Sequence, residues 1–324
     1  MRILLLAGIA LLLLGLGDAQ AETRLRFAHV YETSEPYHAN AVWAAEEIKR
    51  RTEGRYAIDV FPASQLGNEP QINEGVGLGT ISMIYTGVSF AGAIYKPIAI
   101  SNGPYMFRDF AHWQAYRDSS LFAELAAGYE KATGHKILAL TYYGERHVTA
   151  NKPILVPADM KGLKLRVPQA PLFLLFARAF DANATPIAFA EVYLALQTGT
   201  VDAQENPLPT IFAKKFYEVQ DYINLTGHIT ESLLTIVGAS VWSKVSEADR
   251  QIFAEILKQA AERSTEQIRA AELAAPAKLE GLGKQVTRPD RAAFRDKARP
   301  FLTGADVGWT KEQFDRLQAL SPTN

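Results

Sequence analysis

Short stretches in which apolar and polar residues alternate predict β-strands early in the chain and again after residue 160. Residues 24–29, 56–60 and 163–167 each place every second side chain on an apolar face, which is the period of a half-buried strand. A helical pattern separates the first two strands, starting at Pro36 and ending near Gly54. Because strand, helix and strand follow in this order, we expect an α/β fold with a parallel sheet covered by helices.

The longest periodic segment lies in the last third of the chain and predicts one long helix. Ser246 and Asp249 form an S-x-x-D helix start, and apolar residues then recur on one face as far as about Ala275. This helix would be about 45 Å long, more than the diameter of a small domain. We expect Pro276, Gly281 and Gly283 to end it, and we expect it to cross two domains, extend into solvent or be kinked. A mature length of about 300 residues also favours two domains.

Residues 161–206 combine predicted strands with polar residues at positions where ligands bind. Arg166 stands at the end of the strand 163–167 on its polar face, and ligands of open α/β sheets bind beyond the carboxyl ends of strands. Its guanidinium could hold a carboxylate through two hydrogen bonds, or it could pair with an Asp or Glu on the surface. A second strand from Val201 runs into the polar residues 204–206, which are costly to bury without partners.

Three segments carry a resemblance to a known family: ADMKGLKLRVP from Ala158, PIAFAEVYLALQTGTVDAQENPL from Pro186, and KKFYEVQ from Lys214. They resemble the solute-binding proteins of tripartite ATP-independent periplasmic (TRAP) transporters, the DctP-like family. The likeness extends from about Phe27 to the C-terminal helices. It implies a two-lobed periplasmic-binding-protein (Venus-flytrap) fold with hinge strands and a long helix that spans both lobes.

The family likeness also implies an organisation and partners. Lobe I would comprise residues 22–143 and 232–271, and lobe II residues 144–231 and 272–324. The expected partners are a small organic or sugar acid and the membrane permease subunits of a TRAP transporter driven by an ion gradient. We expect the binding protein itself to be a monomer, without a cofactor, a metal or catalytic residues.

Eight residues are candidates for ligand binding, and the resemblance suggests a role for most of them. Arg166 would form a bidentate salt bridge with a ligand carboxylate, with Asn206 bonding the same group and Arg146 reinforcing it. Phe189 matches a family position that places an aromatic ring against the ligand body. The remaining candidates would offer polar groups to ligand hydroxyls: Glu69, Gln169, Tyr31 and Gln204.

The ligand hypothesis is a hexuronic acid such as galacturonate or glucuronate. One carboxylate matches the arginines, hydroxyls match the polar candidates, and Phe189 could stack on the apolar face of a sugar ring. Sialate-binding relatives carry a Glu and an Arg in the loop after the third strand, where this chain has Gly87 and Phe90. The loss of these charges favours a smaller ligand than sialate, and sialate or another organic acid is the alternative.

Residues 1–21 are predicted to be a signal peptide that directs export to the periplasm. Arg2 precedes an apolar run, and Ala19-Gln20-Ala21 is an A-x-A cleavage site. The chain contains no cysteine, which excludes disulfides and thiolate metal sites and argues against a lipid anchor. A net charge of −1 offers no electrostatic footprint for nucleic acid.

A secreted enzyme that acts on sugar acids is the alternative from another functional class. Residues 87–92 are one residue away from the G-x-S-x-G nucleophile elbow, which needs both glycines in place for its strained turn. The six histidines are scattered without a metal-binding spacing. We therefore expect a binding protein and not an enzyme.

Overall fold

The computed structural model describes residues 22–304 and 307–321 of the chain, and the predicted signal peptide lies outside this part. The described part forms nine β-strands and twelve α-helices. The strands are β1 (Thr23–Ala28), β2 (Tyr56–Phe61), β3 (Met83–Gly87), β4 (Lys136–Ala150), β5 (Lys164–Val167), β6 (Asn183–Pro186), β7 (Ala203–Pro207), β8 (Tyr222–Val237) and β9 (Gln285–Thr287). The helices are α1 (Pro36–Arg51), α2 (Glu69–Leu78), α3 (Val88–Ala91), α4 (Phe110–Arg117), α5 (Ser120–Thr133), α6 (Pro171–Ala179), α7 (Val192–Gln197), α8 (Leu208–Ala213), α9 (Ala239–Trp242), α10 (Glu247–Gly281), α11 (Arg291–Ala298) and α12 (Lys311–Gln318).

All nine described strands belong to one mixed sheet, in the order β2-β1-β3-β8-β4-β7-β5-β6, with β9 beside β8. β1 pairs in parallel with β2 and β3, and β5 pairs in parallel with β6 and β7. The predicted parallel arrangement therefore holds at the two ends of the sheet. In the centre the pairing is antiparallel. The two longest strands pair there, β4 with 15 residues and β8 with 16.

The pairing of β4 with β8 is irregular near its middle. The register shifts between Tyr142 and Gly144 and again between Arg146 and Val148. Gly144 has a φ of 123°, and a Cβ at this position would lie 2.8 Å from the Cβ of Pro207. Only glycine adopts such a conformation at so close an approach without strain. A bulge of this kind redirects the side chains that follow it, and Arg146 is one of them.

Buried hydrophobic residues form three clusters along the sheet. The largest lies around β1, β3, α1 and the first half of α10 and includes Phe27 and Phe253. The second surrounds β5, α6 and α11 and includes Leu165 and Phe294. The third lies around α7 and α8 and includes Ile211. Each end of the sheet thus has its own core.

The proposed lobe boundaries remain a prediction, although the C-terminal segment divides between two cores. Phe294 of α11 packs in the second core. Trp309 and Leu317 are buried in the largest core, and the Leu317 carbonyl oxygen lies 2.9 Å from Nε2 of His112. Helix α12 therefore packs against the part of the chain assigned to lobe I, whereas the segment 272–324 was assigned to lobe II.

Helix α10 is longer than predicted, with 35 residues, and Pro276 lies inside it. Pro276 therefore does not end the helix, whereas Gly281, which was predicted together with it, is the last helical residue. Ala275 and Leu279 are buried in the third core, and their packing supports the last turns despite the backbone hydrogen bond that proline cannot donate. Despite the length of α10, the described residues include no helix that is apolar enough to cross a membrane.

Candidate ligand-binding site

One pocket lies where the central strands meet the carboxyl ends of β1, β5 and β7. The space in and around it that protein atoms leave free is about 430 Å³, which includes open solvent. Seven of the eight predicted ligand-binding residues line it, and Gln204 does not. The full lining is Val30, Tyr31, Asn68, Glu69, Pro70, Phe90, Tyr143, Arg146, Arg166, Pro168, Gln169, Ile187, Ala188, Phe189, Asn206 and Glu231.

Arg166 is a buried cation that forms no ion pair with another described residue, although Glu205 and Glu69 are near enough to favour its charge. Its side chain is 2 % exposed, and Nε and Nη2 both donate to the carbonyl oxygen of Ile187, at 3.0 and 2.7 Å. Nη1 is buried without a hydrogen-bond partner. Burial lowers the pKa of Arg166 to about 10. Because the guanidinium is a planar fork, the edge formed by Nη1 and Nη2 remains available for a carboxylate.

Arg146, in contrast, is already neutralised by protein carboxylates. Its guanidinium forms buried ion pairs with Glu205 and Glu231, and Nη2 also donates to the Glu205 carbonyl oxygen at 2.6 Å. Burial opposes the charge of Arg146, but the two carboxylates hold its pKa above the ordinary value. His228 Nε2 lies 3.1 Å from Glu205 Oε2, and burial lowers the pKa of this histidine.

Asn206 is oriented by a chain of side-chain hydrogen bonds behind the pocket. Its Nδ2 donates to Gln204 Oε1 at 2.6 Å, and Gln204 Nε2 donates to Thr149 Oγ1 at 3.0 Å. Gln204 is fully buried in this chain. The structure therefore gives Gln204 the role of positioning Asn206 and leaves the direct ligand contact that the sequence suggested without support.

Glu69 reaches the pocket from the first residue of α2. Asn68 caps α2, its Oδ1 accepting a hydrogen bond from Gln71 N at 3.1 Å. Glu69 Oε1 accepts from Gly87 N at 2.7 Å and from Thr86 Oγ1 at 3.2 Å. Burial raises the pKa of Glu69 to about 7.

Gly87 lies beside the pocket residues Glu69 and Glu231 and has no side chain to contact them. A Cβ at this position would lie 3.0 Å from Glu231 Oε1 and 3.6 Å from Glu69 Oε1. A larger residue would therefore displace Glu231. Phe90, the second position at which sialate-binding relatives carry a charge, lines the pocket with an apolar ring.

Aromatic rings form part of the pocket lining. The rings of Tyr31 and Tyr143 have centroids 5.2 Å apart, and Phe189 lies 6.4 Å from Tyr31. Phe189 is half-buried, whereas Gln169 is exposed at the mouth. Burial raises the pKa values of Tyr31 and Tyr143 well above the ordinary value, so both hydroxyls stay neutral.

Among the polar groups, Tyr143 and Glu231 line the pocket, and Glu205 supports it through Arg146, but none of these was a sequence candidate. Glu205 lies in the polar run 204–206. The free-energy cost of burying such a run without partners indicated that its side chains have binding partners. Tyr143 follows a buried strand in an aromatic run. Glu231 is a single carboxylate in a strand whose residues 226–237 are all buried, so no alternation marks the face it occupies.

A family model described as "Bacterial extracellular solute-binding protein, family 7" (DctP) matches residues 27–305. This chain belongs to that family. The sialic acid-binding periplasmic protein SiaP of Vibrio cholerae is 32% identical over 305 residues, which cover 94% of each chain. A solute-binding protein of Roseobacter denitrificans is 34% identical over 283 residues, 86% of this chain and 85% of that protein.

Two solved structures of TRAP periplasmic solute-binding proteins match over nearly their whole length. The Roseobacter denitrificans structure with bound L-galactonate has a TM-score of 0.86 and 31% identity, covering 93% of this chain and 99% of that chain. The Xanthobacter autotrophicus structure with bound β-D-galacturonate has a TM-score of 0.86 and 26% identity, covering 92% and 100%. These matches confirm the predicted family and the two-lobed α/β fold. Because the family consists of solute-binding proteins that serve transport, the enzyme alternative is rejected.

Proposed function

We propose that this DctP-family protein binds a six-carbon sugar acid in the periplasm, with galacturonate and glucuronate as the first candidates, and delivers it to a TRAP membrane permease. The single observation that carries the proposal is the buried Arg166 guanidinium, whose Nη1 has no partner and whose position lines the pocket. A ligand carboxylate would supply the missing counter-charge. Asn206 lies in the same lining and is the second group for that carboxylate.

The rest of the lining suits a hydroxylated ligand body. Tyr31 and Glu231 provide buried oxygen atoms for ligand hydroxyls, and Glu69 provides a half-buried carboxylate. A plain aliphatic acid would leave such groups unpaired in a closed cleft, at a cost of about 1–3 kcal/mol each. Phe189 offers a ring face to the apolar side of a sugar, as aromatic residues do in many ligand sites. The L-galactonate and galacturonate bound by the two related proteins support the same ligand class.

Sialate is disfavoured although SiaP is a relative. The charged residues of sialate binders are replaced by Gly87 and Phe90, and Glu231 occupies the space into which a side chain at position 87 would project. The delivery step would need the permease subunits as partners, with the binding protein acting as a monomer.

Isothermal titration with galacturonate, glucuronate, galactonate, sialate, succinate and pyruvate tests the proposal. We expect a sugar acid of six carbons to bind most tightly, with a hexuronate among the best ligands. Tenfold tighter binding of sialate, succinate or pyruvate than of either uronate would overturn the proposal. Tenfold tighter binding of galactonate would keep the sugar-acid class and overturn the hexuronate assignment.

A further inference from the structure

Two carboxyl groups converge in the pocket beside Gly87. A Cβ on Gly87 would contact Oε1 of Glu231 at 3.0 Å and would lie 3.6 Å from Oε1 of Glu69. Both glutamates line the pocket, and Glu231 is 3 % exposed. They come from separate elements, since Glu69 belongs to α2 and Glu231 to β8. The absence of a side chain at position 87 leaves room for this arrangement.

The charges around the pocket leave no cation for a second ligand carboxylate. Arg146 is paired with Glu205 and Glu231, and Arg166 is the cation left for the ligand among the described lining residues. Once a ligand carboxylate neutralises Arg166, Glu69 forms no ion pair with any described residue, and Arg146, the other cation near it, is shared by Glu205 and Glu231. A second anionic group on the ligand would therefore meet buried negative charge, where repulsion is weakly screened.

We propose that Glu231, together with Glu69, selects acids with one carboxylate and a hydroxylated remainder, and rejects dicarboxylates of the same carbon skeleton. Carboxylate oxygens accept hydrogen bonds from ligand hydroxyls, so the pair favours a polyol chain or sugar ring. Glu231 thereby acts as a specificity-determining residue. This inference rests on the proposed function, because it assumes that the first carboxylate binds at Arg166.

The repulsion should depend on pH. Burial raises the pKa of Glu69 to about 7, so Glu69 gains negative charge as the pH rises through neutrality. Burial also raises the pKa of Glu231 to about 7, although Arg146 opposes this shift. The other ionisable groups that face or adjoin the pair are Tyr31, Tyr143, Arg146, Arg166, Glu205 and His228. Both tyrosines stay neutral and both arginines stay charged between pH 6 and 8, so the carboxyl pair is the main source of the change.

Isothermal titration with three acids that share one carbon skeleton tests the inference. Galacturonate and galactonate each carry one carboxylate, and galactarate carries one at each end. We expect the better of the two monocarboxylates to bind at least tenfold more tightly than galactarate at pH 7, with a larger ratio at pH 8 than at pH 6. In Glu231→Gln and Glu69→Gln, the ratio should fall at least threefold, because an amide keeps the shape and removes the charge.

Glu74→Gln is the matched control, since Glu74 is an exposed residue of the same helix α2, and it should leave the ratio unchanged. Circular dichroism establishes whether each variant is folded. If Glu231→Gln does not fold, Glu69→Gln is the variant that tests the inference. Wild-type binding of galactarate within threefold of the better monocarboxylate would overturn the inference, as would an unchanged ratio in folded Glu231→Gln. Failure of the wild type to bind either monocarboxylate would instead contradict the proposed function.

Discussion

A buried guanidinium that forms no ion pair is held at a free-energy cost, and Arg166 is such a residue within the described part of the chain. Its pKa of about 10 is lower than that of a solvated arginine, which corresponds to on the order of 3 kcal/mol of lost stabilisation of the charge. The Ile187 carbonyl oxygen satisfies one edge of the guanidinium but supplies no negative charge. An ion pair with a ligand carboxylate would offset much of this cost. Binding at Arg166 is therefore expected to contribute strongly to the affinity for the ligand.

Replacing Arg166 with Ala should weaken binding of the best sugar acid and leave the fold intact. Loss of one partner of a buried charge pair costs about 2–5 kcal/mol, which is on the order of 30- to 5,000-fold in affinity. Isothermal titration measures the change. Arg24→Ala is the control, because Arg24 is an exposed arginine of β1. A change of less than threefold for Arg166→Ala would show that the carboxylate binds elsewhere.

Sequence patterns located residues at strand ends better than residues inside doubly buried strands. Arg166 and Asn206 could be predicted from the sequence because each lies at or near the end of a short strand, next to turn-forming residues. Glu231 could not be predicted from the sequence. Both faces of β8 are buried around it, so a carboxylate there interrupts no periodic pattern. The unpaired edge of Arg166 and the balanced charge of Arg146 depend on contacts between distant segments, which no local pattern encodes.

At the scale of elements, the predictions failed where packing outweighed local preference. Strand β4 continues to Ala150, although its later residues show no alternation that would predict a strand, because the neighbouring strands β7 and β8 pair with them. Helix α10 likewise continues through Pro276. In both elements burial against neighbouring segments supplies stability that the local sequence does not indicate.

Glu272 of α10 connects this helix to the bulge of β4. Its carboxylate accepts hydrogen bonds from Glu145 N at 2.6 Å and from Tyr142 Oη at 2.9 Å. Glu272→Ala should leave both donors unsatisfied and lower the free energy of unfolding by about 1–3 kcal/mol. Urea unfolding measures the difference. Glu266→Ala, at an exposed position of the same helix, should change it by less than about 0.5 kcal/mol, and equal losses in the two variants would contradict the role of Glu272.

At the scale of the whole molecule, the pocket draws its residues from both ends of the sheet. Tyr31 and Glu69 come from the part with the largest core, whereas Arg166 and Asn206 come from β5 and β7 at the other end. The continuous connections between these parts include the long strands β4 and β8 and the helix α10. Further contacts cross between them, including Thr210 Oγ1 to Glu35 Oε1 at 2.7 Å. Few linking elements and a shared pocket are the features of hinge closure around a ligand.

Ligand binding should therefore make the protein more compact. A sugar acid that bonds Arg166 on one side and Glu69 on the other stabilises the closed arrangement by its additional contacts there, and so shifts the population toward it. Small-angle X-ray scattering should show a smaller radius of gyration at saturating ligand than without ligand. Arg166→Ala at the same ligand concentration should keep the ligand-free curve, because the carboxylate contact is lost. Calorimetry first establishes that the wild type binds the ligand. If the scattering curves with and without this ligand are then identical, a rigid, preformed pocket is favoured over closure.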